Sequence, residues 1–149
     1  MKILNVTPLT RKELIIEVLE KINEFPCKNG IECNKTETIK WILSGVHSPT
    51  PQVFILAVTE DSELIGHVLL ERQKRYGVST LFIWQIEKYD SGLELSDEFR
   101  KKVVDKIKLI AKRNNINSIS AVALCEKRAE YFTANFGFSA SGVCIEMGC

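Results

Sequence analysis

The chain has 149 residues, of which 45% are hydrophobic and 26% charged, enough to build one domain with a real core and too little for two ordinary ones. Twenty basic against nineteen acidic side chains leave a formal charge of +1, which excludes a global field drawing the protein onto nucleic acid or an anionic membrane. No apolar run approaches the roughly 18 residues of a membrane span.

The opening "MKILNVTPLTRKELIIEVLEKINEF" lacks the apolar core and small-residue cleavage site of an export signal, so a cytoplasmic protein is expected. "KILNV" alternates as a short strand. "TRKELIIEVLEKINEF" then places Leu14, Ile15, Val18, Leu19 and Ile22 on one helical face, with Thr10 and Glu13 at capping-box spacing. "PCKNGIEC" reads as loop. "NKTETIKWILSG" predicts a second helix, capped by Asn34 with Glu37 three residues on and closed by Gly45.

Proline breaks the chain at "HSPTP". Three apolar runs follow, "QVFILAV", "ELIGHVLLE" and "STLFIWQIE", separated by turn signals, and they predict an antiparallel meander with "RQKR" as a basic, solvated hairpin tip. Trp41, Trp84 and the phenylalanines read mostly as core, whereas His67 is left open between solvent and a cleft. "LSDEFRKKVVDKIKLIAKRNN" is the third helix, with Ser96 as N-cap, Asp97 and Glu98 in the first turn, and Phe99, Val103, Val104, Ile107, Ile110 and Ala111 inward. "SISAVAL" is a strand, "EKRAEYFTANFG" a helix and "FSASGVCIEM" a last strand.

The predicted order is β-α-α-β-β-β-α-β-α-β, without repeat or linker, over residues 1–149 as a single domain. A strand-helix-strand step calls for a parallel crossover while the meander is antiparallel, so the expected fold is α/β (α+β), three-layered, with a mixed sheet and helices on both faces. Cys27, Cys33, Cys125, Cys144 and Cys149 are an odd set without an export signal, which favours reduced thiols. Cys27, Cys33 and His47 lack a fourth zinc ligand, so no metal is expected. Cys125, where the fifth strand ends, could face a cleft as a thiol nucleophile, but a small buried cysteine is far more common.

This order of elements, together with "ELIGHVLLE", the strand-to-helix step after "FIWQIEKYD" and the ending "AEYFTANFGF", resembles the GNAT superfamily of acetyl-CoA-dependent N-acetyltransferases. The resemblance implies acetyl-CoA in a cleft between the fourth and fifth strands and transfer of its acetyl group to a small-molecule or peptide amine. It implies cofactor contacts at Ile86, Lys88, Gly92, Ser96 and Arg100. Glu87 stands where members often place a carboxylate that deprotonates the amine.

The same resemblance exposes departures. The family's pyrophosphate loop reads Gln or Arg, two residues, Gly, one residue, then Gly or Ala, because backbone amides must approach phosphate closely. With Gly92 as either glycine, the partner positions fall on Tyr89 and Glu94 or on Glu87 and Asp90. Counting back from Ala111 puts both glycines at Glu98 and Arg100. A carboxylate roughly 6 Å from a phosphate charge costs about 3 kcal/mol at an effective dielectric of about 20. The tyrosine that protonates the departing thiolate in many members corresponds to Thr133; Tyr131, two residues earlier, is the candidate acid. The pantetheine-binding asparagine corresponds to Glu126. A catalytically silent binding or assembly module with this fold is therefore the alternative, and a homodimer through the last strand, which ends at Cys149, is a further expectation.

Overall fold

The computed structural model describes residues 1–89, 96–122, 126–136 and 138, with Arg75, Glu126, Lys127, Arg128, Tyr131 and Asn135 described by backbone alone. Gly92, Cys125, Cys144, Cys149 and the last predicted strand lie outside the described residues. In chain order the elements are β1 (Lys2–Asn5), α1 (Lys12–Lys28), α2 (Lys35–His47), β2 (Val53–Glu60), β3 (Glu63–Arg75), β4 (Val78–Lys88), α3 (Asp97–Arg113), β5 (Ser118–Ala121) and α4 (Glu126–Phe136).

The five strands form one mixed sheet in the order β1-β2-β3-β4-β5, antiparallel except for the parallel pair β4–β5. The parallel step is the one with a single helix between its strands, as the crossover rule requires. β1 and β2 are antiparallel instead, because two helices lie between them and the chain enters β2 from the opposite end. Both hairpins of the meander turn on pairs of positive-φ residues, Asp61–Ser62 and Tyr76–Gly77. Two consecutive positive φ angles match the right-handed twist of the strands they join.

The meander strands reach further than their apolar runs. "RQKR" is the end of β3 and not a hairpin tip, which lies at Tyr76–Gly77. Arg72 points to the α3 side and donates to the backbone and side-chain oxygens of Asn114, both at 3.2 Å, where α3 ends.

Two apolar layers cover the sheet. Leu14, Val18 and Ile22 of α1 and Ile42 and Val46 of α2 pack with Ile55, Ala57 and Leu69 on one face. Phe99, Val103, Ile107 and Ile110 of α3 pack with Leu56, Val68, Leu70, Leu81, Ile83 and Ile86 on the other, with Phe132 and Phe136 of α4 at the margin. The strands between them are buried on both faces, which is why "QVFILAV" is a continuous apolar run.

Local signals decide the helix ends unequally. Asn34 caps α2 by accepting from the Glu37 amide at 3.1 Å, and Ser96 caps α3 by accepting from the Phe99 amide at 3.2 Å. Thr10 does not cap α1: its hydroxyl accepts from the Thr7 amide at 2.9 Å, within the preceding turn, and Arg11 becomes the N-cap. The helix also runs through Pro26 to Lys28, beyond the loop expected at "PCKNG". Gly45 does not close α2, which continues to His47. A Cβ there would stand 2.3 Å from Val53 Cγ2, so the glycine seats the helix against β2.

Candidate active site

β4 carries one residue too many for its neighbour. Leu69 pairs with Gln85 and Leu70 with Ile83, so Trp84 is a bulge. On the other edge the ladder to β5 runs from Thr80–Ser118 to Ile83–Ala121, with a hydroxyl contact of 2.6 Å between Thr80 and Ser118. β4 continues to Lys88, so the backbone of residues 84–88 on that edge lies beyond the last β5 pair among the described residues. Among the described residues, the β4–β5 ladder stops at the bulge.

The bulge also sets which side chains share the α1 face. Trp84 and Gln85 both fall there, followed by Glu87 and Tyr89, while Ile83, Ile86 and Lys88 turn toward α3. Pro26 supplies the reason for an ordered chain of hydrogen bonds on this face. Lacking an N–H, it leaves the Ile22 carbonyl of α1 without its helical donor, and Gln85 Nε2 donates to that carbonyl at 3.2 Å. The Gln85 amide is thereby fixed with its oxygen toward His67 Nε2, 2.7 Å away. His67 must carry its proton on Nε2, so Nδ1 accepts from the Tyr89 hydroxyl, also at 2.7 Å.

His67 is fully enclosed, and burial lowers its pKa below the ordinary histidine value against the opposing hydrogen bond from Gln85 and the charge of Glu87. The Tyr89 phenol is pushed up by burial first and then by the carboxylates of Glu87, Glu17 and Glu24. Lys21 Nζ stands 4.9 Å from the centroid of the Tyr89 ring. The arrangement holds a neutral imidazole and a protonated phenol beside the end of β4.

By sequence, no protein-family model matches the chain and no curated protein is similar to it. Solved structures are. A predicted acetyltransferase with acetyl-CoA from Clostridium acetobutylicum superposes with a TM-score of 0.72 at 13% identity, over 99% of this chain and 95% of that one. An aminoglycoside 6'-N-acetyltransferase from Acinetobacter haemolyticus gives 0.72 at 12% identity, over 100% and 98%. An aminoglycoside acetyltransferase from an uncultured soil metagenomic sample gives 0.66 at 13%, over 99% and 97%. The chain has the GNAT fold.

Within this GNAT fold the residues picked out from sequence divide into four groups. Glu87 lies on the α1 face, opposite His67 in the β3–β4 register, and pairs with Lys28 Nζ at 3.4 Å; Lys28 also reaches Glu24 at 3.9 Å. Lys88, Ser96 and Arg100 gather on the other side, at the start of α3. Lys88 Nζ is 6.0 Å from the Phe99 ring centroid, and Arg100 pairs with Asp97. Lys102 binds Glu98 at 3.1 Å and lowers its pKa, chiefly through that hydrogen bond. Ile86 sends its side chain into the α3 core, which leaves only its backbone for a ligand. Gly92 lies outside the described residues, and Tyr131 is placed on α4 by its backbone alone.

Gln85 and Tyr89 were not singled out by sequence as site residues. Their signal was faint: two polar side chains at the end of an apolar strand, whose phase becomes readable only once the bulge at Trp84 is known.

Proposed function

We propose that this GNAT-fold chain is an N-acetyltransferase that moves the acetyl group of acetyl-CoA to a small amine. The observation that carries the reading is the end of the β4–β5 ladder, among the described residues, at the Trp84 bulge, beside a face bearing Glu87, Tyr89 and His67. On the β5-side edge, residues 84–88 have no ladder partner among the described residues and carry amide and carbonyl groups at strand spacing, a fit to the amide-bearing pantetheine arm of the cofactor. Acetyl-CoA, when bound, supplies a thioester carbon open to attack by an amine. Lys88, Ser96 and Arg100 at the α3 end are the residues that would hold its phosphate-bearing portion, together with the segment containing Gly92.

In this reading Glu87 takes the proton released by the attacking amine, with Lys28 fixing the carboxylate's position. Tyr131 is the proposed proton donor to the departing thiolate. Release of the CoA thiol across a panel of amines measures the reaction. Glu87→Gln is expected to lower turnover by about 100-fold or more while acetyl-CoA affinity stays the same. Unchanged turnover removes Glu87 from the role, and absence of thiol release with every amine counts against the reading itself.

A second reading has its own support. Asp90, Glu94, Asp97 and Glu98 lie in sequence on both sides of the single glycine of the segment leading into α3, a poor composition for a pyrophosphate, and they favour a module that kept the fold without the cofactor.

A further inference from the structure

A second polar cluster lies next to the opening, on the α1–α2 face of the sheet. Glu71 of β3 is half-buried, and its carboxylate collects three neutral donors. Trp84 Nε1 at 3.2 Å and Gln73 Nε2 at 2.9 Å reach Oε1, and Trp41 Nε1 of α2 reaches Oε2 at 3.1 Å. Phe82 and Trp84 stack edge to face with centroids 4.8 Å apart, and Trp41 and Trp84 do the same at 5.8 Å. Trp84, read from sequence as core, is 47% exposed.

Among the described residues no basic side chain pairs with Glu71. Neutral N–H groups orient the carboxylate and stabilise it, yet they leave its net negative charge in place. A half-buried anion attracts an organic cation through its charge, and the indoles beside it offer apolar surface to the cation's stem. Trp84 belongs to this cluster and is also the bulge at which the β4–β5 ladder stops among the described residues, so an occupant here adjoins that end of the ladder.

We infer that Glu71, Trp41 and Trp84 form an anchoring site for a primary ammonium group on an apolar stem, with the carboxylate holding the charge and the indoles flanking the stem. As the acceptor's binding site in acetyl transfer the inference rests on the proposed function; as a cation site it stands by itself. The alternative role for the cluster is a staple that ties α2 to the sheet and takes no ligand.

The chain has two tryptophans and both are in this cluster, so tryptophan emission reports on it directly. The test titrates hexylamine, hexanol and hexanoate into the protein at neutral pH. Hexylamine is expected to change the emission saturably, with hexanol and hexanoate without effect at the same concentrations. Glu71→Gln, confirmed folded by its melting curve, is expected to weaken hexylamine by about ten-fold or more. Equal responses to hexylamine and hexanol overturn the inference, as does full retention of binding in Glu71→Gln. A parallel melting curve with acetyl-CoA separates the two claims. A cofactor shift without an amine-specific emission change defeats the anchoring site alone, whereas the emission change without a cofactor shift upholds the cation site and defeats the transferase reading.

Discussion

His67 is held neutral by its surroundings: Gln85 accepts its one proton, Tyr89 donates to its other nitrogen, and burial disfavours the imidazolium. Its folded pKa is therefore lower than the roughly 6.5 of an unfolded chain. As pH falls through that value, the unfolded state takes up a proton the folded state refuses, so stability present above about pH 6.5 is lost on acidification, by at most about 1.4 kcal/mol per pH unit. Urea midpoints between pH 7 and pH 5 should fall more steeply for the wild type than for His67→Gln. Equal slopes would show that His67 titrates alike in both states. The alternation of "ELIGHVLLE" put His67 in phase with Leu69, but its partners were beyond reach of sequence, since the Trp84 bulge and the carbonyl released by Pro26 are both tertiary consequences.

At the scale of elements, caps written by neighbouring residues were legible where no nearer competitor existed. Asn34 and Ser96 cap as their spacing predicts, whereas Thr10 is captured by the Thr7 amide. Gly45 shows the opposite limit. Glycine late in a helical pattern signals an end, yet here the missing Cβ admits Val53, a contact that only the packing of α2 on β2 creates. Gly45→Ala adds about 1 kcal/mol of helix propensity, and on propensity alone it should stabilise. With Val53 buried and a new Cβ 2.3 Å from its Cγ2, overpacking wins, and a net loss of about 1–3 kcal/mol is expected. Val53 Cβ would itself stand 2.7 Å from the new Cβ, so the same substitution should cost markedly less only in a Val53→Gly background, which removes both atoms, and additive losses there in chemical denaturation would contradict the steric account.

For the whole molecule, periodicity and punctuation were enough to place the meander, the crossover through α3 and the helices on both faces, because each follows from burial of one apolar stripe or strand run. The antiparallel β1–β2 pair and the place where the β4–β5 ladder stops among the described residues depend on chain direction and on a one-residue bulge, neither of which leaves a periodic trace. That ladder end, more than any single motif, supports the proposal of an acetyl-CoA site, while the acids flanking Gly92 in sequence oppose it. Thermal unfolding with and without acetyl-CoA weighs the two against each other. A ligand at 100 times its dissociation constant stabilises the native state by about 2.7 kcal/mol, a rise of several degrees for a chain of this size. The account predicts such a rise with millimolar acetyl-CoA; a melting curve unmoved by both acetyl-CoA and CoA would contradict it.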